Sequence, residues 1–318
     1  MKKLIIRLGL FLAPLTVFFV GGEYIITTGL QKTNYDFYNE WNEITKGKVN
    51  ADIIINGSSR AWVHVSPQIL DSALKVNSYN LGFNDLGMSS QYYKYQEYLA
   101  HNTPPKMIIQ TLDVFTLKSR DYLFDAAQYL PFFSHQNIRN CTSQSGLFST
   151  PDFYIPLVRY FKYRKTALLG FKEFFNPTNY PNTRYKGFQG MDLTWKPVQV
   201  SQANAQVLHL EKVIKIADAE IKLMERFLAE CRQQKIQVVL VYTPEFIEGQ
   251  DHHKNRMDVM KTYQQIAQKY QVKLLDYSQD TISYQKNLFY NVQHLNKKGA
   301  EIFSKKLATD LKKLPKIP

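Results

Sequence analysis

Cysteine is almost missing from this 318-residue chain, which has two, Cys141 and Cys231, with no C-x-x-C and no metal-ligand spacing. A disulfide-framed scaffold and a thiolate metal centre are thereby excluded. At most one disulfide can form, and spacing does not decide whether it does. Cys231 falls on the apolar stripe of a helical pattern, where a thiol behaves as a small hydrophobe. His252 and His253 are adjacent and face different directions on a helix, so no metal and no cofactor are expected. Acidic residues are also scarce beside basic ones, 27 against 40, a net charge of +13. That excess points to something anionic. With no zinc-finger spacing, RNP-like segment or recognition helix beside it, nucleic acid is not the expected partner. There is no internal repeat, and 44% hydrophobic with 21% charged residues excludes a disordered chain.

Long apolar runs are scarce too, and the notable one lies at the N-terminus. Lys2, Lys3 and Arg7 precede an uncharged stretch from Leu8 to Gly22, which Leu4–Ile6 extend. With Arg7 reaching back to the interface, this approaches the roughly 20 residues that cross a bilayer. The leading positive charges place that end in the cytoplasm and the body outside. A cleavable signal peptide is the rival, but Gly21-Gly22-Glu23 is a poor cleavage sequence. The expectation is an uncleaved anchor over residues 1–24, a polar stalk over 25–50, and an extracytoplasmic body over 51–318.

In the body, short β-branched runs alternate with helical patterns. Strands are expected at Asp52–Asn56, Asn77–Leu81, Met107–Leu112, Gln237–Tyr242 and Val272–Leu275. Helices are expected from Ser66-Pro67, over Ser89–His101, from about Asn204 through Cys231, over Met257–Tyr270 and over Lys297–Leu311. This alternation predicts an α/β three-layer sandwich around a central parallel sheet. Between about 115 and 200 proline and aromatic clusters replace the regular pattern. So long a segment is expected to be a structured, cap-like insertion rather than a loop.

Chemistry-bearing residues gather after the strands, where open parallel sheets bind ligands. Gly57-Ser58-Ser59-Arg60 follows the first strand, Asn80-Leu81-Gly82 the second and Asp113 the third, while Asn291-Val292-Gln293-His294 precedes the last helix. A Ser on a sharp strand-to-helix turn can expose its hydroxyl, and a His from a distant loop can accept its proton. Taken singly, each has a plainer reading. Ser59 can cap a helix, His294 can be structural, Gly82 can end a strand, and Arg60 can be an ion-pair partner.

Together the segments resemble the SGNH (GDSL-like) hydrolases. Ile53-Ile54-Ile55-Asn56-Gly57-Ser58-Ser59 is similar to the first block of that family, a strand leading into G-[DS]-S. Tyr79-Asn80-Leu81-Gly82 is similar to the second, and His294-Leu295-Asn296-Lys297-Lys298-Gly299-Ala300 to the fifth. The resemblance implies a flavodoxin-like SGNH fold with Ser59 as nucleophile and His294 as base. It places Asn291 where the family carries the orienting Asp, and implies oxyanion donors from Ser59 and a block II glycine, Gly82 or Gly87; the block III Asn is absent, and Asn84 or Asn80 is the candidate to stand in for it. Arg60 and Asp113, beside the nucleophile, are the candidate substrate contacts. The likeness is nearest to the membrane-tethered, DltD-like members. It implies an esterase or O-acyltransferase acting on envelope glycan or another acylated polymer, with membrane lipid and a membrane-bound acyltransferase as partners. A shell that has lost its catalytic acid and only binds is the alternative.

Overall fold

The computed structural model describes residues 1–119, 122–195 and 213–314. Contacts divide them into two compact units. One holds residues 1–46 and 121–182, the other 47–120 and 183–318.

The larger unit is the expected α/β layer structure. Five parallel strands, β1 (Ile53–Asn56), β2 (Ser78–Asn80), β3 (Met107–Leu112), β4 (Gln237–Tyr242) and β5 (Lys273–Asp276), lie in the order β2-β1-β3-β4-β5. β1 and β3 are wholly buried, which is why Ile53–Ile55 and Met107–Ile109 read as continuous apolar stretches rather than alternating ones. Successive side chains still point to opposite faces. Ile53, Ile55, Ile109, Val239 and Val241 form one core with Phe303 and Leu307 of the helix Lys297–Leu311. That helix also packs on the helices Ser59–His64 and Pro67–Leu74. The helices Met88–His101, Asp218–Gln233 and Arg256–Tyr270 pack on one another, with the Tyr95 and Phe227 rings 5.4 Å apart. Strand order reverses between β1 and β3, so the loops leaving those strands border the crevice where such sheets bind ligands.

Three expectations change. The long helix begins at Asp218, not near Asn204, because Ile216 is held in an isolated bridge with Lys118; residues 204–210 lie outside the described residues. A helix over Ser59–His64 precedes the one at Pro67. The stretch expected as a stalk is partly helical and packed. Its helix Asp36–Thr45 buries Tyr38, Trp41 and Ile44 in the smaller unit.

That unit gathers much of the aromatic insertion around the N-terminal helix, Lys2–Lys32. Trp41 Nε1 donates to Gln128 Oε1 (2.9 Å), and its ring meets those of Tyr129 and Phe132. Lys2–Lys32 is long and apolar enough to cross a membrane, and its turns from Leu4 to Val20 leave large apolar side chains exposed. Its last turns pack on the helix Arg164–Phe175 through glycine. A Cβ on Gly29 would lie 1.8 Å from the Gly170 carbonyl oxygen, so only a side-chain-free residue permits this approach. Cys141 and Cys231 are both free and buried, which settles the disulfide question left open by spacing.

Candidate active site

The turn after β1 is built on glycine. Gly57 has φ +154°, and a Cβ there would lie 1.9 Å from Thr111 Oγ1. The chain can therefore turn directly from strand into helix, with Ser58 at the N-cap position and Ser59 first in the helix. Ser58 points inward, its hydroxyl donating to Asp113 Oδ2 at 2.5 Å. Ser59 is half-buried and points the other way. Its hydroxyl lies 2.8 Å from His294 Nε2, across 235 positions of sequence.

The hydrogen bonds around His294 fix its tautomer. The Oδ1 of Asn291 accepts from the backbone N–H groups of Gln293 and His294, both at 2.9 Å, so that atom must be the oxygen of the amide. His294 Nδ1 lies 3.0 Å from the same oxygen and must therefore carry a hydrogen and donate it. Nε2 is left with its lone pair toward Ser59, the form a general base requires. A neutral amide thus orients the ring as a carboxylate would, but adds no negative charge. The imidazole pKa is accordingly held far below its ordinary 6.5, at about 3, first by desolvation and then by the charge of Arg60. Tyr290 stacks on the ring, centroids 5.4 Å apart and planes within 7°, and burial pushes its own phenol up to about 12.

The His294 loop is tied down from two directions. Phe246 N–H donates to the Val292 carbonyl at 3.0 Å. Leu295 N–H donates to His64 Nε2, also at 3.0 Å. His64 is fully buried, so its other nitrogen, 2.8 Å from Thr243 Oγ1, carries the proton. Burial first, then Arg60 and His294, depress its pKa strongly and keep it neutral. One short helix therefore carries the Ser59 hydroxyl at its start and the anchor of the His294 loop at its end. Sequence reading missed His64 and Tyr290. Their only signal was nearness in the chain to Ser59 and His294.

The remaining candidates separate. Arg60 is not presented to a substrate: it is buried, donates to the Thr243 hydroxyl at 3.0 Å and to its carbonyl, faces Glu245 at 3.7 Å and lies over the Tyr242 ring. Its electrostatic effect falls on the two histidines instead. Asp113 is likewise buried; besides receiving Ser58 it accepts from Phe115 N–H at 2.7 Å, and it shapes the turn after β3. Gly82 lies against the Ser59 helix, where a Cβ would come within 2.5 Å of Ala61 Cβ and Trp62 N. Its N–H, however, already donates to Asn80 Oδ1 at 2.8 Å, so it is not an open oxyanion donor here. Asn80 is committed as well, donating to the Ala61 and Val65 carbonyls at 2.7 and 2.9 Å. Asn84, two residues beyond Gly82, is half-buried and makes no hydrogen bond among the described residues. The neighbouring Phe83 ring stacks on Trp62 at 5.9 Å and seats this turn on the Ser59 helix.

No family model matches this chain, and no curated protein does. Among solved structures, a GDSL-like lipase of Bacteroides thetaiotaomicron VPI-5482 overlaps it with a TM-score of 0.41 at 10% identity, over 87% of this chain and 100% of that one. A Bacteroides fragilis NCTC 9343 protein assigned as an acylhydrolase gives the same TM-score and identity over 87% and 97%. An acetyl xylan esterase of Butyrivibrio proteoclasticus gives 0.34 at 10% identity over 82% and 63%. Likenesses this distant identify neither substrate nor residue roles, and the chemical reading rests on the site's own geometry.

Proposed function

We propose that this chain is an exported, membrane-anchored serine esterase or O-acyltransferase of the SGNH type, acting on acyl esters of an envelope glycan or lipid. The observation that carries the reading is the Ser59 hydroxyl 2.8 Å from an imidazole nitrogen whose partner nitrogen is fixed as the donor. Ser59 Oγ attacks the ester carbonyl carbon as His294 Nε2 takes the hydroxyl proton. The carbonyl oxygen becomes the oxyanion, for which the candidate donors are the Ser59 N–H, at the first position of its helix and with no acceptor among the described residues, and the side-chain amide of Asn84. Collapse expels the alcohol, which leaves with the proton from His294. Acyl-Ser59 then passes its acyl group to water or to an acceptor hydroxyl, with His294 again taking and returning the proton. No metal or cofactor enters the scheme.

A fluorophosphonate probe applied to the full chain in detergent is expected to label the wild type and to leave Ser59→Ala and His294→Ala unlabelled. A wild type that resists labelling would sink the proposal. The neutral Asn291 favours a second reading, a non-catalytic SGNH-like shell that binds an envelope polymer for a separate acyltransferase. Ester turnover by Asn291→Asp separates the two. A gain from an undetectable wild-type level supports the non-catalytic reading.

A further inference from the structure

The smaller unit carries an apolar surface that its own packing does not cover. The helix Arg164–Phe175 turns Gly170 toward the N-terminal helix and leaves Leu168, Phe171 and Phe175, at steps of three and four, exposed. These three side chains and that of Phe161 are each more than half exposed, as are Tyr154 and Ile155 just upstream. Between this helix and the N-terminal helix lies a groove of about 480 Å³, lined by Ile26, Leu157, Tyr160, Phe161, Leu168 and Phe171, with Arg164 contributing the charged group. Exposed apolar side chains gathered on this helix and the segment leading into it mark a contact surface.

Its position and charge select the occupant. The groove begins where the apolar run ends: Leu157 Cδ1 lies 3.1 Å from where a Gly22 Cβ would be, and Gly170 sits over Ile26 and Gly29. From Gly22 to Gly29 the helix rises about 10 Å, comparable to one headgroup layer. Glu23, at that level, is neutralised by Arg159 and accepts from Leu157 N–H at 2.8 Å. Tyr24 is exposed there and meets Phe174 edge-on at 6.1 Å, as expected of an interfacial aromatic. Beside the apolar side chains, Lys162, Arg164 and Lys165 are exposed and hold no ion pair among the described residues. Basic groups flanking Phe and Leu on one amphipathic helix match anionic headgroups above acyl chains.

We infer that Phe161, Leu168, Phe171 and Phe175 form a second membrane contact, an apron that lies in the outer headgroup layer beside the spanning helix and seats an anionic phospholipid in the groove by Arg164. The inference shares with the proposed function only the reading of the N-terminal helix as a membrane span. A helix fixed alongside the span restricts how the unit can tilt, which a single helix leaves free.

The test uses the full chain in vesicles of phosphatidylcholine with or without phosphatidylglycerol, labelled with nitrobenzoxadiazole at single cysteines introduced as Leu168→Cys, Phe171→Cys, Lys165→Cys or Val17→Cys; the native cysteines are buried. Labels at 168 and 171 are expected to be quenched by lipid-borne spin labels and shielded several-fold from iodide, while the label at 165 remains iodide-accessible. Arg164→Glu with Lys165→Glu is expected to weaken the lipid quenching at 171 in phosphatidylglycerol vesicles only. Iodide access at 168 and 171 equal to that at 165, with 17 still shielded, would overturn the apron while leaving the span intact; access at 17 as well would remove the span itself. Shielding that disappears as protein is diluted into more lipid would assign the face to a second copy of the chain and overturn the lipid assignment. Quenching that is the same with and without phosphatidylglycerol would overturn the anionic specificity.

Discussion

At the scale of single residues, the decisive group is the Asn291 amide. Its Oδ1 accepts from two backbone N–H groups, which identifies it as the oxygen, and it also accepts from His294 Nδ1. Replacing it by Leu keeps the bulk and removes the tautomer lock. Turnover is expected to fall by orders of magnitude, up to about 10⁴-fold, with little change in KM. The charge it does not supply has a separate signature. With the imidazole pKa near 3, the acid limb of kcat/KM is expected well below pH 6.5, and Asn291→Asp is expected to move that limb upward because a carboxylate stabilises imidazolium. The same depression couples to stability. Above pH 6.5 the ring is neutral folded and unfolded, and its contribution is constant. Between 6.5 and about 3 the unfolded chain takes up a proton that the native site refuses, so stability is lost as pH falls. Thermal midpoints of wild type and His294→Gln are therefore expected to converge or cross as the pH drops from 7 to 4.

At the scale of elements, the helix Ser59–His64 is a rigid link between the two halves of the site. His64→Phe leaves the buried Leu295 N–H without its acceptor, a cost of about 1–3 kcal/mol. It is also expected to lower kcat far more than it changes KM, because the His294 loop loses register with Ser59. His64→Gln, which retains an acceptor, is expected to recover part of both, as read by steady-state kinetics and calorimetry. Gly57→Ala tests the turn beneath that helix. At φ +154° and with Thr111 Oγ1 in the way, it is expected to cost more than about 1–3 kcal/mol in thermal unfolding. That this helix is separate from the one at Pro67 was not legible beforehand. Six residues make fewer than two turns, too few for an apolar period to emerge, and Ser66-Pro67 offered a stronger start signal just downstream.

At the scale of the whole molecule, the Lys2–Lys32 helix, about 46 Å long, exceeds a bilayer's apolar thickness and leaves its last turns for packing against protein. With Lys2, Lys3 and Arg7 on the leading flank, a C-terminal alkaline-phosphatase fusion is expected to be active and a cytoplasmic reporter at the same place inactive. The outcome reversed would place Ser59 in the cytoplasm and remove envelope esters as substrates.

The sequence by itself determined the strands, the class of the sheet and the apolar first helix. Each is written locally: Ile53–Ile55, Met107–Ile109 and Val238–Val241 are short apolar runs because these stretches are buried on both faces. Only the tertiary structure decided which polar groups are used up. Arg60 reads either as an ion-pair partner or as a substrate contact until Thr243 and Glu245 close on it, and Gly82 reads as an oxyanion donor until the Asn80 side chain takes its N–H. Trp41 reads as a stalk residue until Gln128 and Phe132 cover it. A hydrogen bond or ion pair depends on where strand order and packing bring distant segments, and no local spacing encodes that.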